Sequence, residues 1–181
     1  MGKVDDIVKS VLVSEEEIKQ IAKRLGEQIS KDYNDKDLVI VGMLKGCTPF
    51  MMDLIKEIKI PVLIDFIQVS SYHGGTKSTD NVVFKKDIDT PIEGKHVLLV
   101  DDILDTARTI TNVLSIFADR GAASIELCCM LDKPEGRLVP YEPKYSGKTI
   151  PNEFVIGYGL DYNEYYRNLP YVAIVKDEVY K

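Results

Sequence analysis

Three cysteines, Cys47, Cys128 and Cys129, are too few for a disulfide framework, and with only two histidines in 181 residues they lack the spacing of a zinc site. Buried thiols in a reducing cytosol account for them, so a cytoplasmic location is expected. Positive charge is also scarce: 23 Lys and Arg stand against 29 Asp and Glu, for a net charge of −6 and a pI near 5.0. Nucleic-acid binding calls for a basic face, and this balance argues against such a partner. No apolar run approaches the length of a membrane span, and residues 1–10 hold no signal-type apolar stretch, so no membrane association is expected. Met1 and Gly2 are followed by Asp5 and Asp6 rather than the hydroxyl residue of a myristoylation signal. Internal repeats and low-complexity linkers are missing as well. Residues 1–181 therefore read as one domain, long enough to bury a real core.

The patterning that is present alternates strands with helices. Ser14 with Glu17 reads as a capping box for a helix whose apolar stripe is Ile18, Ile21, Ala22, Leu25 and Ile29. Residues 38–44 form a buried strand, Thr48 with Pro49 starts a second helix, and 61–69 is another strand. Residues 70–81, with Gly74 and Gly75, are expected to be a mobile loop. A helix from about 106 to 119 and a strand over 124–131 continue the series. The fold class is therefore α/β, with a mostly parallel sheet flanked by helices. After Asp132 the pattern changes to short strands and turns, including 154–158 and 171–175.

Residues 97–110, VLLVDDILDTARTI, carry the chemistry. Val97, Leu98, Leu99 and Val100 have the continuous apolar character of a strand buried on both faces. Asp101 and Asp102 follow at its carboxyl end, where open α/β sheets collect ligands. Asp105, Thr106, Ala107, Arg108 and Thr109 then form a polar turn at a helix start, backed by Ile110, Val113, Leu114 and Phe117. Such a turn offers backbone N–H groups, two hydroxyls and a guanidinium to a phosphate. Taken singly each residue has an ordinary reading: Asp101 as a solvated loop acid, Thr106 as an N-cap, Asp105 as a cap of the following helix. Carboxylates beside a phosphate cradle imply a polyhydroxylated, phosphorylated ligand with a hard cation.

This stretch resembles the signature of the phosphoribosyltransferases that use phosphoribosyl pyrophosphate, and other segments point to the bacterial hypoxanthine-guanine branch, from about Ile7 to the C-terminus. Leu44, Lys45 and Gly46 resemble the family's pyrophosphate loop, and Ser70, Ser71 and Tyr72 the start of its mobile catalytic loop. Residues 131–135 resemble its purine-selecting segment, and 154–162 with Tyr166 and Arg167 its purine-stacking strand and pyrophosphate-side loop. The resemblance implies a type I phosphoribosyltransferase fold, with a small hood built from the N-terminal segment and the late C-terminal part. It implies Mg2+-dependent transfer of the phosphoribosyl group to hypoxanthine or guanine, in a homodimer or homotetramer.

By the same resemblance Asp101 and Asp102 hold the ribose hydroxyls and magnesium, and Asp161 belongs to the purine-binding set and serves a second, pyrophosphate-side magnesium. Asp105 faces purine N7 and moves a proton there. Lys45, Gly46 and Arg167 bind pyrophosphate, while Thr106, Ala107, Arg108 and Thr109 surround the 5′-phosphate. The peptide before the position matching Lys45 can be cis in this family. Ser71 and Tyr72 cover the reacting centre. Phe154 stacks on the purine, Val155 meets its Watson–Crick edge and Lys133 donates to O6, a donor that accepts a 6-oxopurine and rejects adenine.

Ala107 departs from the glycine usual in the family's phosphate loops. Alanine tolerates close approach to a phosphate better than a left-handed backbone, so a negative φ is expected there, with its N–H still directed at the phosphate. Two readings of other classes compete: an RNA-binding regulator on the same fold, which the acidic balance disfavours, and a non-catalytic interaction protein, which Asp105 disfavours. A xanthine-preferring or purine-broad transferase is the nearest enzymatic rival.

Overall fold

The computed structural model describes residues 4–71 and 82–180. Its elements run α1 (Val4–Ile7), β1 (Val8–Val13), α2 (Glu15–Asp32), β2 (Leu38–Met43), α3 (Thr48–Glu57), β3 (Leu63–Ser71), β4 (Val82–Lys86), β5 (His96–Leu104), α4 (Arg108–Asp119), β6 (Ser124–Asp132), a 3-10 turn (Pro134–Gly136), β7 (Tyr145–Thr149), β8 (Val155–Ile156), β9 (Val172–Val175) and α5 (Asp177–Tyr180). Six strands form the main sheet in the order β4-β3-β2-β5-β6-β7. All its pairings are parallel except the edge pair β3 with β4.

Successive residues of a strand point to opposite faces, and here that divides two cores. Leu38, Ile40, Leu98, Val100, Cys128 and Met130 face one side with the buried stripes of α2 and α3. Val39, Val41, Val97, Leu99, Leu127 and Cys129 face the other, where Ile110, Val113 and Phe117 of α4 cover them. Strands buried on both faces need no polar residue, which is why they read as unbroken apolar runs. The three cysteines are free and buried, and burial pushes each thiol up, away from reactivity.

The first long helix starts as its sequence dictates. Ser14 Oγ accepts the Glu17 N–H at 3.2 Å, a cap worth about 1 kcal/mol. The box is half made, because the Glu17 carboxylate turns to Lys148 at 2.6 Å. A second sheet, β1-β9-β8, is antiparallel and joins the N-terminal segment to the late C-terminal part, forming the hood. The sequence reading contained no strand at β1, β4 or β7. The helix expected from 106 begins at Arg108, because Ala107 before it is left-handed at φ 64°. Residues 72–81 of the expected loop lie outside the described residues. Among the described residues no helix is long and apolar enough to cross a membrane.

Candidate active site

In the main sheet β2 leads through α3 to β3 on one side, while β5 lies on its other side. The connections part between β2 and β5, and a crevice opens beyond their carboxyl ends. A cavity of about 330 Å³ sits there, lined by Leu44 and Gly46 after β2 and by Asp101, Asp102, Asp105 and Thr106 at the end of β5, with Ala107 and Thr109 beyond. The topology thus brings the pyrophosphate-loop and phosphate-turn candidates together.

Asp101 is buried, and burial followed by the charge of Asp102 pushes its carboxyl well above the usual range. Burial raises Asp102 too, against a counter-pull from the Arg167 charge among others. Neither acid forms an ion pair among the described residues. Two adjacent oxygen-donor groups whose charged forms the fold leaves unsupported suit a hard divalent cation, which would favour those forms. Among the described residues no three His, Cys, Asp or Glu side chains converge to hold a metal unaided, so substrate oxygens and water have to complete such a shell. Gly46 packs against this pair: a Cβ there would lie 1.7 Å from Asp102 Oδ2, so only glycine lets the loop approach the acids.

The turn after β5 has its carbonyls taken. Leu104 O accepts the Lys133 N–H at 3.0 Å, and Thr106 O accepts those of Leu138 and Val139 at 3.1 and 3.2 Å. Asp105 O accepts from Arg137 at 2.6 Å. In a planar trans peptide the N–H points opposite to the C=O, so the amides of Asp105, Thr106 and Ala107 face away from the 133–139 segment. They find no acceptor among the described residues, and the start of α4 adds further free amides. The turn thus presents a concavity of free amides, a geometry suited to an anion.

Ala107 corrects the sequence expectation: its φ is +64°, not negative. A left-handed residue is what reverses the chain so that Ala107 O can accept the Thr111 N–H at 3.1 Å and open α4. Ala107 is 3% exposed and belongs to the same core as Leu104 and Ile110, its neighbours on either side of the turn. Thr106 is not a strong cap, since its hydroxyl lies 3.5 Å from the Arg108 amide.

The candidate pyrophosphate cations, Lys45 and Arg167, are already paired. Lys45 Nζ lies 2.6 Å from Glu164, which the lysine holds below the usual carboxylate range. Arg167 reaches Asp161 at 2.9 Å, Glu164 at 3.4 Å and the Gly159 carbonyl at 2.7 Å, while its buried Nε has no partner among the described residues. The peptide joining Leu44 and Lys45 is cis. Asp161, a metal candidate in the sequence, is engaged by Arg167 and by the Glu164 N–H at 2.9 Å.

Lys133 Nζ lies 2.6 Å from Asp105 Oδ2, which joins two candidates that follow separate strands, β6 and β5. Val155 lies in β8, an edge strand with one side unpaired. Phe154 stacks on Tyr180, centroids 5.0 Å apart, and meets Tyr162 edge-on at 5.9 Å. Ser71 closes β3, paired with Val82, and Tyr72 lies outside the described residues. Sequence reasoning missed Glu164, Arg137 and Tyr180. Glu164 sits inside a segment already singled out, but the left-handed backbone of Asn163 and Glu164 that aims it at Lys45 leaves no trace in residue type.

The family model described as Phosphoribosyl transferase domain matches residues 11–163. The chain is 51% identical over 177 residues to the hypoxanthine-guanine phosphoribosyltransferase of Streptococcus pneumoniae strain R6, covering 98% of each. It is 52% identical over 173 residues to that of Staphylococcus aureus strain Mu50, covering 96% of this chain and 97% of the relative. A crystal structure of a hypoxanthine phosphoribosyltransferase from Staphylococcus aureus superposes with a TM-score of 0.94 at 50% identity, over 100% of this chain and 99% of that one. With a switch-point crevice that joins paired acids to a phosphate cradle, these matches show that the chain belongs to the hypoxanthine-guanine phosphoribosyltransferase family and is a phosphoribosyl-transferring enzyme of purine salvage.

Proposed function

We propose that the enzyme transfers the phosphoribosyl group of phosphoribosyl pyrophosphate to hypoxanthine or guanine, giving IMP or GMP and pyrophosphate, with Mg2+ as cofactor. The observation that carries this reading is the Lys133–Asp105 pair at 2.6 Å, whose carboxylate lines the cavity shared with Asp101, Asp102 and the phosphate turn. O6 and N7 are adjacent acceptors on one edge of a 6-oxopurine. A cation donor beside a carboxylate matches that edge once N7 carries a proton.

In the reaction N9 forms a bond to ribose C1 as the bond from C1 to the pyrophosphate oxygen breaks, the electron pair leaving with pyrophosphate. Asp105 accepts the purine's proton at N7, and Lys133 donates to O6. The amides of the turn and the hydroxyls of Thr106 and Thr109, with Arg108, hold the 5′-phosphate. Lys45, the Gly46 loop and Arg167 take the pyrophosphate, releasing Glu164 and Asp161. Magnesium, when bound, neutralises charge on the leaving group and fixes the ribose hydroxyls. Asp101 and Asp102 are suited to hold it, with Asp161 freed for a second ion. Val155 and Phe154 serve the base, and Ser71 with Tyr72 cover the centre and exclude water. The active species is read as a dimer or tetramer, which light scattering tests. Product analysis with phosphoribosyl pyrophosphate, magnesium and each of hypoxanthine, guanine, xanthine and adenine tests the rest. IMP and GMP are expected; AMP as the main product would overturn the role of Lys133.

A further inference from the structure

We propose that Arg137 is a positioning residue of this reaction, its guanidinium locking Asp105 and Lys133 into one rigid unit that reads the N7 and O6 edge of the purine. The inference rests on the roles given above to those two residues. The Arg137 side chain is only 12% exposed. Its Nη1 donates to the carbonyls of Leu104, of Asp105 at 2.6 Å and of Lys133 at 3.3 Å, its Nε to that of Tyr141 at 3.3 Å, and its Nη2 to the Asp132 carboxylate. Apart from Tyr141, these acceptors lie at the ends of β5 and β6 or just after them, the two segments that carry the base-side carboxylate and cation.

The clamp acts on side chain and backbone alike. A Cβ on Gly136 would lie 1.9 Å from Asp105 Oδ1, so the carboxylate is seated against the same turn whose guanidinium holds its carbonyl. The phosphate turn depends on Arg137 less, because Thr106 O is held by the amides of Leu138 and Val139. O6 and N7 are a fixed distance apart in every 6-oxopurine, so donor and base have to be held at matching spacing. Misplacement by about 1 Å can cost ~10²-fold in rate. A planar guanidinium spans acceptors on both segments, whereas an ammonium is a point donor.

Arg137→Lys keeps a positive charge beside Asp132 and so protects folding, and Arg137→Ala removes the group. Steady-state kinetics, phosphoribosyl pyrophosphate affinity and thermal unfolding are compared with Asp105→Asn, for which a loss of about 10²- to 10⁴-fold in kcat is expected. For Arg137→Lys, kcat/KM for hypoxanthine should fall by about 10²-fold while affinity for phosphoribosyl pyrophosphate stays within about threefold of wild type. Equal losses toward both substrates, tracking a lower Tm, would make Arg137 a general structural residue and overturn the proposal. Wild-type kinetics in Arg137→Lys would overturn it too. Wild-type turnover in Asp105→Asn beside a purine-specific loss in Arg137→Lys would instead remove Asp105 from the chemistry and leave Lys133 as the group that Arg137 positions.

Discussion

Asp65 on β3 and Asp101 on β5 are both buried carboxylates on strands that flank β2, and their surroundings push them in opposite directions. Asp65 accepts N–H groups from Phe66 at 2.7 Å and from Asp89 and Thr90 at 2.8 Å, with the Lys86 ammonium at 3.3 Å. Burial alone would raise it, but the bonds from Thr90 and Phe66 outweigh burial and bring its pKa to about 2. Asp101 accepts the Asp102 N–H at 3.0 Å and otherwise faces a second acid, so burial and that charge raise it. Asp65 is a satisfied strut that ties residues 87–90 to the sheet edge. Asp101 is a carboxyl whose charged form the fold leaves unsupported, so that form is disfavoured until a ligand supports it.

Neutral substitution of each acid should separate these roles. Asp101→Asn keeps the acceptor for the Asp102 N–H and removes a strained charge, so its thermal midpoint should equal or exceed that of wild type at neutral pH. Its kcat/KM for phosphoribosyl pyrophosphate should fall by about 10- to 100-fold, with a higher magnesium requirement. Asp65→Asn should do the reverse, losing about 2 kcal/mol of stability while the folded enzyme keeps its kinetics. If Asp101→Asn unfolds as easily as Asp65→Asn, the contrast fails.

Acid unfolding sharpens the same point. The folded Asp65 carboxyl is held down to about 2 from its ordinary 3.8, so protons bind the unfolded chain more readily. The contribution is complete above about pH 4 and is lost as pH falls through the window from about 3.8 to about 2; its size is about 2 kcal/mol. Denaturant titrations of wild type and Asp65→Asn should therefore converge toward the bottom of that window. Parallel curves throughout would mean that Asp65 is not the strut.

Glu164 is the intermediate case, an exposed acid paired with Lys45 and Arg167, the two cations assigned to pyrophosphate. The phosphate turn offers open amides, whereas this side of the cavity presents cations that an internal carboxylate already occupies. Glu164→Gln should tighten pyrophosphate binding by about two- to fivefold at low ionic strength, an effect of the size seen for exposed pairs and one that salt erodes. Calorimetry at two salt concentrations checks it, and unchanged affinity at low salt would show that the carboxylate does not compete.

Much of the fold and site was legible because it lies in one stretch or in one period. The apolar runs of β2, β5 and β6 and the stripes of α2 and α4 carried the sheet and its flanking helices. Asp101, Asp102 and the turn after them are contiguous, so the cavity at their strand end followed from the rule that places ligands there. β1, β4 and β7 escaped because edge or hood strands of five or six residues are half exposed and carry a diluted alternation. The pairings of Lys133 with Asp105 and of Lys45 with Glu164 escaped because each joins residues far apart in sequence, which no local pattern encodes. The error at Ala107 had another source: residue preference was allowed to decide a backbone angle that the turn itself dictates.

Ala107→Gly should give the smallest effect of the series, and it carries the contrast between strut and site into the backbone. A left-handed alanine costs about 1–2 kcal/mol, which glycine would relieve. Against that relief stand about 0.4–1 kcal/mol of extra chain entropy in the unfolded state and about 0.8 kcal/mol for a methyl group buried at 3% exposure. The terms nearly cancel, so a stability change within about 1 kcal/mol of zero is expected by denaturant unfolding. Because Ala107 is buried and the substitution leaves the amides of the turn in place, the KM for phosphoribosyl pyrophosphate should also move little. A large gain in stability would mean that the methyl contributes no packing and that the strain at this turn stands uncompensated. A large loss would mean that alanine's packing outweighs the left-handed cost, and that the turn belongs with Asp65 among the satisfied parts of the scaffold.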